Sequence, residues 1–231
     1  MTEAVSLFFP MFNEQRNINR AVDSALTALE TVGRECEVII VNDGSRDDTG
    51  TIADGLAAAD CRVKVVHHAE NRGYGAALRS GFTAARHPLV AFVDGDNQFD
   101  LGEIGILLDA IHDADLVSGY RITRRDPLIR RLNAFLYNRV ARTLFDIPVR
   151  DVNCGFKIYK RDLLQRLLPQ LASTGALINV EMLARARQLG ARVREVGVQH
   201  HPRVAGNPTG GNLTVILRAA RELLALRREL R

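Results

Sequence analysis

Positions 89–98 read Leu-Val-Ala-Phe-Val-Asp-Gly-Asp-Asn-Gln, five apolar residues followed at once by a polar loop. A short and uniformly apolar run is typical of a strand that is buried on both faces. The same pattern occurs at Val5–Phe9, which Pro10 ends, and at Glu37–Val41, which runs into Asn42-Asp43-Gly44. These segments predict a buried sheet whose strands each end in a polar loop.

Stretches with apolar residues at helical spacing separate the predicted strands. We predict helices at 17–32, 49–59, 75–85 and 101–111, and further strands at 63–66 and 116–119. Strands that alternate with helices favour parallel pairing through right-handed crossovers, so the expected fold is α/β with a mainly parallel, Rossmann-like sheet and helices on both faces. Ligands of such sheets lie beyond the carboxyl ends of the strands. We therefore expect a site built from the loops 10–14, 42–48 and 94–98.

The pattern changes after residue 120. A basic helical stretch at 128–145 leads to a turn region at 151–157, and helices are predicted from Asp162 and from Asn179. A strand at Val193–Val198, a loop at 200–212 and an amphipathic helix from Leu213 follow. We expect these elements to extend the first half, so that residues 1–231 form one domain.

Composition places the chain among globular proteins. Of its 231 residues, 46% are hydrophobic and 25% are charged, and the three cysteines have no Cys-x-x-Cys spacing, which favours reduced thiols. The first twelve residues do not resemble a signal peptide, and no apolar run is long enough to predict a membrane span. Arginines cluster at 121–150 and 218–231, which indicates either anionic partners or solvated helix faces.

The acids of the loop 94–98 carry the clearest chemical signal. Asp94 and Asp96 are separated by one residue, so their side chains point the same way from an extended chain. Two adjacent carboxylates repel each other unless a cation lies between them, and hard oxygen ligands suit Mg²⁺ or Mn²⁺. Gln98 offers a further carbonyl ligand. The alternative is a polar turn in which Gly95 adopts a positive φ.

Two other loops suit a nucleoside. Asp43 can accept a hydrogen bond from a base N–H or from ribose hydroxyls, while Asp47 and Asp48 are interpreted as structural. Glu14 suits ribose hydroxyls or, alternatively, the start of the following helix. Residues 71–78 imitate a dinucleotide fingerprint, but a leucine occupies the third glycine position. We predict instead that Gly73 lets this loop lie close to the base.

These four segments, in this order, resemble the family-2 glycosyltransferases of the GT-A fold. The likeness is greatest to the dolichyl- and polyprenyl-phosphate sugar synthases, such as dolichol-phosphate mannosyltransferase, and it covers residues 4–160 best. It implies a nucleotide-sugar-binding half at 1–120, an acceptor-side half at 121–212 and a C-terminal amphipathic helix at 213–231. The implied donor-side residues include a metal set of Asp94, Asp96 and Gln98 and a substrate set of Pro10, Asn13, Glu14, Asp43, Gly73, Asp94 and Gly95.

The resemblance also assigns residues to the acceptor side and to catalysis. Arg121 matches the family's Gly-x-Arg, Arg131 with Asn133 matches its second phosphate-binding pair, and Gly155 lies in the segment that matches its acceptor loop. Arg203 matches the arginine that meets the diphosphate. Asp96, Arg121, Arg131 and Arg203 are thus the implied catalytic residues. The alternative for residues 151–157 is an ordinary tight turn before a strand.

The implied activity is inverting transfer from a UDP- or GDP-sugar to a polyprenyl or dolichyl phosphate, with Mg²⁺ or Mn²⁺ as cofactor. Transfer to a soluble glycan or protein, and a non-catalytic nucleotide-sugar-binding role, stay open as alternatives. We expect a cytoplasmic protein, peripheral at the inner face of the cell membrane, with no nucleic-acid partner. A membrane-protein partner and a homo-oligomer stay open, and the last helix suits either a membrane interface or a packed contact.

Overall fold

The computed structural model describes residues 3–122, 128–202 and 213–230. Within these residues the strands are β1 (Val5–Met11), β2 (Cys36–Asn42), β3 (Val63–His67), β4 (Leu89–Val93), β5 (Leu116–Arg121), β6 (Phe156–Lys160) and β7 (Val193–Val198). The helices are α1 (Ile18–Thr31), α2 (Thr49–Ala59), α3 (Tyr74–Ala84), α4 (Ile104–Ala110), α5 (Leu128–Phe145), α6 (Arg161–Leu167), α7 (Ile178–Gln188) and α8 (Leu213–Glu229).

The strands form a single sheet in the order β3-β2-β1-β4-β6-β5-β7. Neighbouring strands are parallel except β6, which runs antiparallel to both β4 and β5. Met11 of β1 lies level with Asn42 of β2, and Asn42 lies level with His67 of β3. The loops that follow these three strands therefore leave the sheet at the same edge.

Two hydrophobic clusters cover the two faces of the sheet. Leu7 and Phe9 of β1 pack with α1 and α4, whereas Phe8 packs with α3, α6 and α7. Because successive residues of a strand point to opposite faces, this alternation places β1 in the centre of a three-layer α/β/α arrangement. Such strands need to be apolar on both faces, as the sequence pattern indicated.

The sequence predictions match most of these elements. The observed bounds of α2, β4, α5 and β7 coincide with the predicted ranges. The helix predicted at 101–111 is shorter, because 3₁₀ turns at Leu101–Glu103 and Ile111–Asp113 flank α4. None of the described helices is long and apolar enough to cross a bilayer.

Strand β6 is the main addition to the predicted alternation. Phe156 and Lys157 are completely buried in this strand, so they do not belong to an open acceptor loop. The turn that ends at Gly155 and the strand that follows it correspond to the alternative interpretation of residues 151–157. Two of the five residues of β6 are lysines, so it is not the uniformly apolar run that identified the central strands, which is why the pattern did not place it in the sheet.

Candidate active site

Hydrogen bonds join the loop after β1 to the loop after β2. The Glu14 N–H donates to the Thr49 hydroxyl (2.8 Å), and the Asn13 N–H donates to the Ser45 hydroxyl (3.0 Å). The Asn13 side-chain oxygen accepts from the Arg46 N–H (2.8 Å), and Asn13 has a φ of 57°. Asparagine tolerates this left-handed conformation better than most residues. In this structure Asn13 therefore links two loops, and its predicted contact with substrate is untested.

Asp47 has the structural role that the sequence predicted. One of its carboxylate oxygens accepts from both the backbone N–H (3.1 Å) and the hydroxyl (2.5 Å) of Thr49, at the start of α2. The other oxygen accepts from the Gln15 N–H (3.3 Å). These bonds more than offset burial and hold the pKa of Asp47 below its ordinary value.

Asp43 ties the loop after β2 to the loop after β3. It is 3% exposed, and its carboxylate accepts from the backbone N–H groups of Arg72 and Gly73, both at 2.9 Å. The Nδ1 atom of His68 lies 2.6 Å from the same carboxylate. Three contacts leave limited acceptor capacity for a nucleoside, so Asp43 orders the residue 72–73 backbone in addition to any role toward the base.

Two glycines in these loops meet protein backbone at close range. Gly44 has a φ of 66°, and a Cβ there would lie 2.3 Å from the carbonyl carbon of Glu70. Gly73 has a φ of 91°, and a Cβ there would lie 2.8 Å from the carbonyl oxygen of Thr174. Both glycines thus leave room for the backbone of another loop, and the approach of Gly73 to the base stays a prediction.

Asp94 is the half-buried centre of the site. Its Oδ1 atom accepts a hydrogen bond from the Tyr74 hydroxyl (2.8 Å), and its N–H donates to the Gly155 carbonyl (3.0 Å). A Cβ on Gly155 would lie 1.9 Å from Asp94 Oδ2, so any larger residue at 155 would displace the carboxylate. Gly155 therefore contributes to the site by leaving space for the Asp94 carboxylate.

Electrostatics oppose the charge on Asp94. Burial and the neighbouring Asp96 raise its pKa to about 6, although the Tyr74 hydrogen bond, Lys157 and Arg121 act in the opposite direction. Two carboxylates that disfavour each other's ionisation fit a divalent cation, which binds hard oxygen donors. Among the described residues no group of three His, Cys, Asp or Glu forms a metal site. Gln98, substrate and water are the candidates for further ligands among the groups described here.

The loop 94–98 is held from two sides. The Gln98 side-chain amide donates to the His201 carbonyl (2.9 Å), and the His201 N–H donates to the Gln98 carbonyl (2.7 Å). On the other side, the Asn97 amide donates to the Asn17 carbonyl (3.0 Å), and Asn17 donates to Glu14 (2.5 Å). The loop that carries the acids is therefore fixed to both the first loop and the segment before residue 203.

Gly95 and Pro10 lie next to each other at the base of this loop. A Cβ on Gly95 would lie 2.9 Å from the Met11 side chain and 3.4 Å from the Pro10 carbonyl oxygen. Both residues therefore lie where β1 and β4 end. Their predicted contact with substrate is compatible with this position and is untested.

Arg121 forms a mostly buried ion pair at the end of β5. Its Nε and Nη2 atoms donate to the two carboxylate oxygens of Asp151, at 2.7 and 2.8 Å. The side chains are only 13% and 8% exposed. Burial alone would lower the pKa of Arg121, but the bonds to Asp151 raise it above its ordinary value. The sequence assigned Arg121 to phosphate binding and did not identify this partner.

The structure thus brings most of the predicted donor-side residues to one sheet edge, with Gly155 beside Asp94. Asn133 lies half-buried in α5, and no described contact places it at this edge. The side chain of Arg131 and all of Arg203 lie outside the described part of the chain.

Sequence analysis missed Tyr74, His68 and Lys157 as members of the site. Tyr74 begins α3 inside the segment 71–78, of which only the glycine pattern was interpreted, and His68 follows β3 outside any motif. Lys157 is 0% exposed, and its Nζ atom donates to carbonyls of the preceding turn and to Asn179. A charged residue within an apolar run was the available signal, because lysine is seldom fully buried.

The chain resembles known proteins both in sequence and in structure. A sequence profile described as Glycosyl transferase family 2 matches residues 6–168. Glycosyltransferase AglD of Haloferax volcanii is 32% identical over 208 residues, which cover 86% of this chain but 33% of that protein. Polyprenol monophosphomannose synthase of Mycolicibacterium smegmatis is 30% identical over 216 residues, which cover 89% of this chain and 80% of the synthase.

The chain spans half to two thirds of the length of several further relatives, with coverage of 50%, 63% and 60%. Among solved structures, glucosyl-3-phosphoglycerate synthase from Mycobacterium tuberculosis, in complex with Mn²⁺, UDP and glucosyl-3-phosphoglycerate, matches with a TM-score of 0.75. Its identity is 21%, and the match covers 99% of this chain and 80% of the synthase. This likeness confirms the fold class that the sequence predicted.

Proposed function

The chain belongs to glycosyl transferase family 2, and from that premise we propose that it transfers a sugar, with inversion, from a nucleoside-diphosphate sugar to a polyprenyl or dolichyl phosphate. The relatives with the highest identity include a protein named as a polyprenol monophosphomannose synthase, which supports a lipid phosphate as acceptor. The sugar and the base of the donor, uracil or guanine, are left to experiment.

The observation that carries the proposal is the acid pair at the end of β4. Asp94 and Asp96 lie at the sheet edge where β1 and β2 also end. Burial and the repulsion between the two carboxylates raise the pKa of Asp94. We propose that Asp94 and Asp96, with Gln98, hold Mg²⁺ or Mn²⁺ against the donor diphosphate. When bound, the ion supplies positive charge that stabilises the departing diphosphate.

The donor nucleoside is proposed to lie over the ends of β1 and β2. Glu14 offers a carboxylate for ribose hydroxyls, and Asp43 holds the backbone of residues 72–73 beside the base. Pro10 and Gly95 complete the floor of this region, where β1 and β4 meet. Arg203 is assigned to the diphosphate on the resemblance alone.

The acceptor chemistry requires positioning more than acid–base catalysis. A lipid monophosphate is already anionic near neutral pH, so its oxygen can attack the anomeric carbon without a strong base. A bond from the anomeric carbon to the acceptor oxygen forms as the bond to the donor diphosphate oxygen breaks on the opposite side. Asp151 holds the Nε and Nη2 atoms of Arg121, and we propose that Nη1 of the same guanidinium binds the acceptor phosphate. Arg131 and Asn133 are proposed to form a second contact with that phosphate.

A membrane contact is proposed for one face of α5. Phe135, Leu136 and Val140 are 61%, 51% and 45% exposed on this helix, and Arg139 and Arg142 are exposed on the same side of it. Exposed apolar residues interspersed with arginines suit the interface of an anionic bilayer. Asn138 of α5 accepts a hydrogen bond from the Val152 N–H (3.0 Å), one residue after the Asp151 that holds Arg121, so α5 passes close to the proposed phosphate contact.

The experiment that tests the function is a transfer assay with purified protein, Mn²⁺ or Mg²⁺, polyprenyl phosphate and a panel of radiolabelled UDP- and GDP-sugars. We expect label in the organic phase for one donor, with complete dependence on the divalent ion. Asp96→Ala is expected to abolish transfer, whereas Asp109→Ala, which changes an exposed acid on α4, is expected to leave it intact.

Other outcomes of this assay would change the assignment. Label that stays in the water phase with a soluble glycan or protein would identify a different acceptor. Nucleotide binding without turnover for any donor would indicate a non-catalytic binding protein. Normal transfer by Asp96→Ala would contradict the metal assignment.

A further inference from the structure

A chain of polar groups runs behind Asp94 from the buried Lys157. The Lys157 ammonium donates to the carbonyl oxygens of Val152 (3.2 Å) and Cys154 and to the side-chain oxygen of Asn179 (3.3 Å). Lys157 is 0% exposed and Asn179 is 3% exposed. Because an ammonium group has three donors and no acceptor, the Asn179 group that faces it must be the carbonyl oxygen. The orientation of the Asn179 amide is thereby fixed.

The fixed amide determines the direction of the next bonds. Burial raises the pKa of the Tyr74 hydroxyl, and the nearby Asn179 side chain acts in the opposite direction, as a donor facing the phenol oxygen does. With the Asn179 oxygen turned to Lys157, its NH₂ group is the part that faces Tyr74, and the Tyr74 O–H donates to Asp94 Oδ1 at 2.8 Å. The donor groups of Lys157, Asn179 and Tyr74 are thus all directed toward Asp94.

We propose that this chain presets the Asp94 carboxylate for cation binding, with Tyr74, Asn179 and Lys157 as positioning residues. The inference rests on the proposed function and deepens it, since it names what holds a metal ligand in place. A committed donor on Oδ1 and the close contact of Oδ2 with Gly155 together fix the rotation of the carboxylate. Groups that orient the ligands of a metal contribute strongly to its affinity.

A purely structural role for Lys157 is the competing explanation. Its bonds to Val152 and Cys154 also close the turn before β6, so replacing the lysine would disturb the fold as well as the chain. Tyr74→Phe is the better test, because it removes one hydroxyl and leaves the turn untouched. Tyr159→Phe is the matched control: Tyr159 is 0% exposed, and its hydroxyl has no hydrogen-bond partner among the described residues.

The measurement is the dissociation constant of Mn²⁺, from the electron paramagnetic resonance signal of the free ion, with and without UDP or GDP. We expect Tyr74→Phe to weaken Mn²⁺ binding by about tenfold or more, the range found for groups that orient metal ligands. Tyr159→Phe should bind as the unaltered protein does. Equal Mn²⁺ affinity in folded Tyr74→Phe and in the unaltered protein would overturn the inference.

Asn179→Asp tests the direction of the hydrogen-bond donors that lead from Lys157 to Asp94. The aspartate keeps an acceptor for Lys157 but turns a second acceptor toward Tyr74, so the hydroxyl proton would leave Asp94. We expect weaker Mn²⁺ binding, although the added negative charge by itself would strengthen it. Unchanged or stronger binding would contradict the proposed direction. If the unaltered protein bound Mn²⁺ neither alone nor with a nucleotide, the proposed function would fail before any variant was compared.

Discussion

Asp94 is kept in surroundings that oppose its own charge. Burial and the adjacent Asp96 raise its pKa to about 6, while Tyr74, Lys157 and Arg121 supply only partial compensation. A carboxylate in this state is a poor stabiliser of the metal-free fold and a good ligand for a cation that restores the charge balance. The residue that we assign to metal binding is therefore expected to cost stability when no metal is present.

Asp94→Asn should stabilise the metal-free protein. The folded-state pKa is raised above the unfolded value, so the ionised carboxylate costs folding free energy above pH 6, and this cost disappears as the pH falls through 6 toward 4. We expect a gain of about 1–3 kcal/mol at pH 8, which shrinks below pH 6. Urea unfolding in a chelating buffer measures it, and a difference that does not vary with pH would contradict the explanation.

At the scale of elements, β6 determines how the site is assembled. This strand runs antiparallel between β4, which carries the acids, and β5, which ends at Arg121. It places Gly155 against Asp94 and Lys157 behind it, and the turn before it supplies Asp151 to Arg121. One inserted strand thus connects the proposed donor side with the proposed acceptor side.

The helices α5 and α8 differ in the apolar surface that they expose. The sequence left α8 between a membrane interface and a packed contact, and in the structure its last turns are packed. Leu223 and Leu226 are 2% and 4% exposed, and Glu229 accepts from Arg185 of α7 at 2.5 Å. On α5, Phe135, Leu136 and Val140 form a cluster of exposed apolar residues.

Leu136→Glu should weaken binding to anionic vesicles by about tenfold or more, because it removes a large apolar side chain from the interface and adds a repelled charge. Co-sedimentation with vesicles of phosphatidylglycerol and phosphatidylcholine measures this effect. Leu224→Glu on α8 and Ile106→Glu on α4 are matched controls, because Leu224 and Ile106 are also about half exposed, at 53% and 49%. If only Leu224→Glu lost vesicle binding, the membrane contact would be assigned to α8 instead.

At the scale of the whole molecule, the second half of the chain supports the start of α3. Glu181 of α7 is 0% exposed and accepts from the backbone N–H groups of Ala172 and Ser173, at 3.0 and 2.9 Å. The next residue, Thr174, accepts from the Gly75 N–H at 2.7 Å. Tyr74, which bonds Asp94, is thus held by a segment that α7 supports on the same face of the sheet, and Glu181 has a structural role there.

Glu181→Gln should lower the free energy of unfolding by about 1–3 kcal/mol, because an amide donor replaces one of the acceptors for these N–H groups. Burial alone would raise the pKa of Glu181, but hydrogen bonds from Ser173, Ala172 and Arg185 lower it below its ordinary value. Its contribution is therefore present at neutral pH and lost as the pH falls through the folded-state pKa.

Urea unfolding at pH 7 and pH 3 measures the effect, with Glu35→Gln as a control at an exposed position. The difference between Glu181→Gln and the unaltered protein should be clear at pH 7 and smaller at pH 3. A substitution as neutral as the control at pH 7 would show that Glu181 does not support the 172–174 segment.

Local sequence patterns predicted the alternating strands and helices, the edge of the sheet that carries the proposed site, and the acids at that edge. These follow from local properties, since apolar runs, helical spacing and strand-end loops are written in consecutive residues. The bounds of α2, β4, α5 and β7 were predicted for the same reason.

The groups that surround those acids could be identified only in the folded structure. The pairing of Arg121 with Asp151 spans 30 residues, the bond from Tyr74 to Asp94 spans 20, and the place of β6 depends on pairing with two strands at once. Side chains distant in sequence meet through packing and strand order, which leave no periodic trace along the chain. The pKa of Asp94 arises from that assembly, because burial and neighbouring charges exist only in the folded protein.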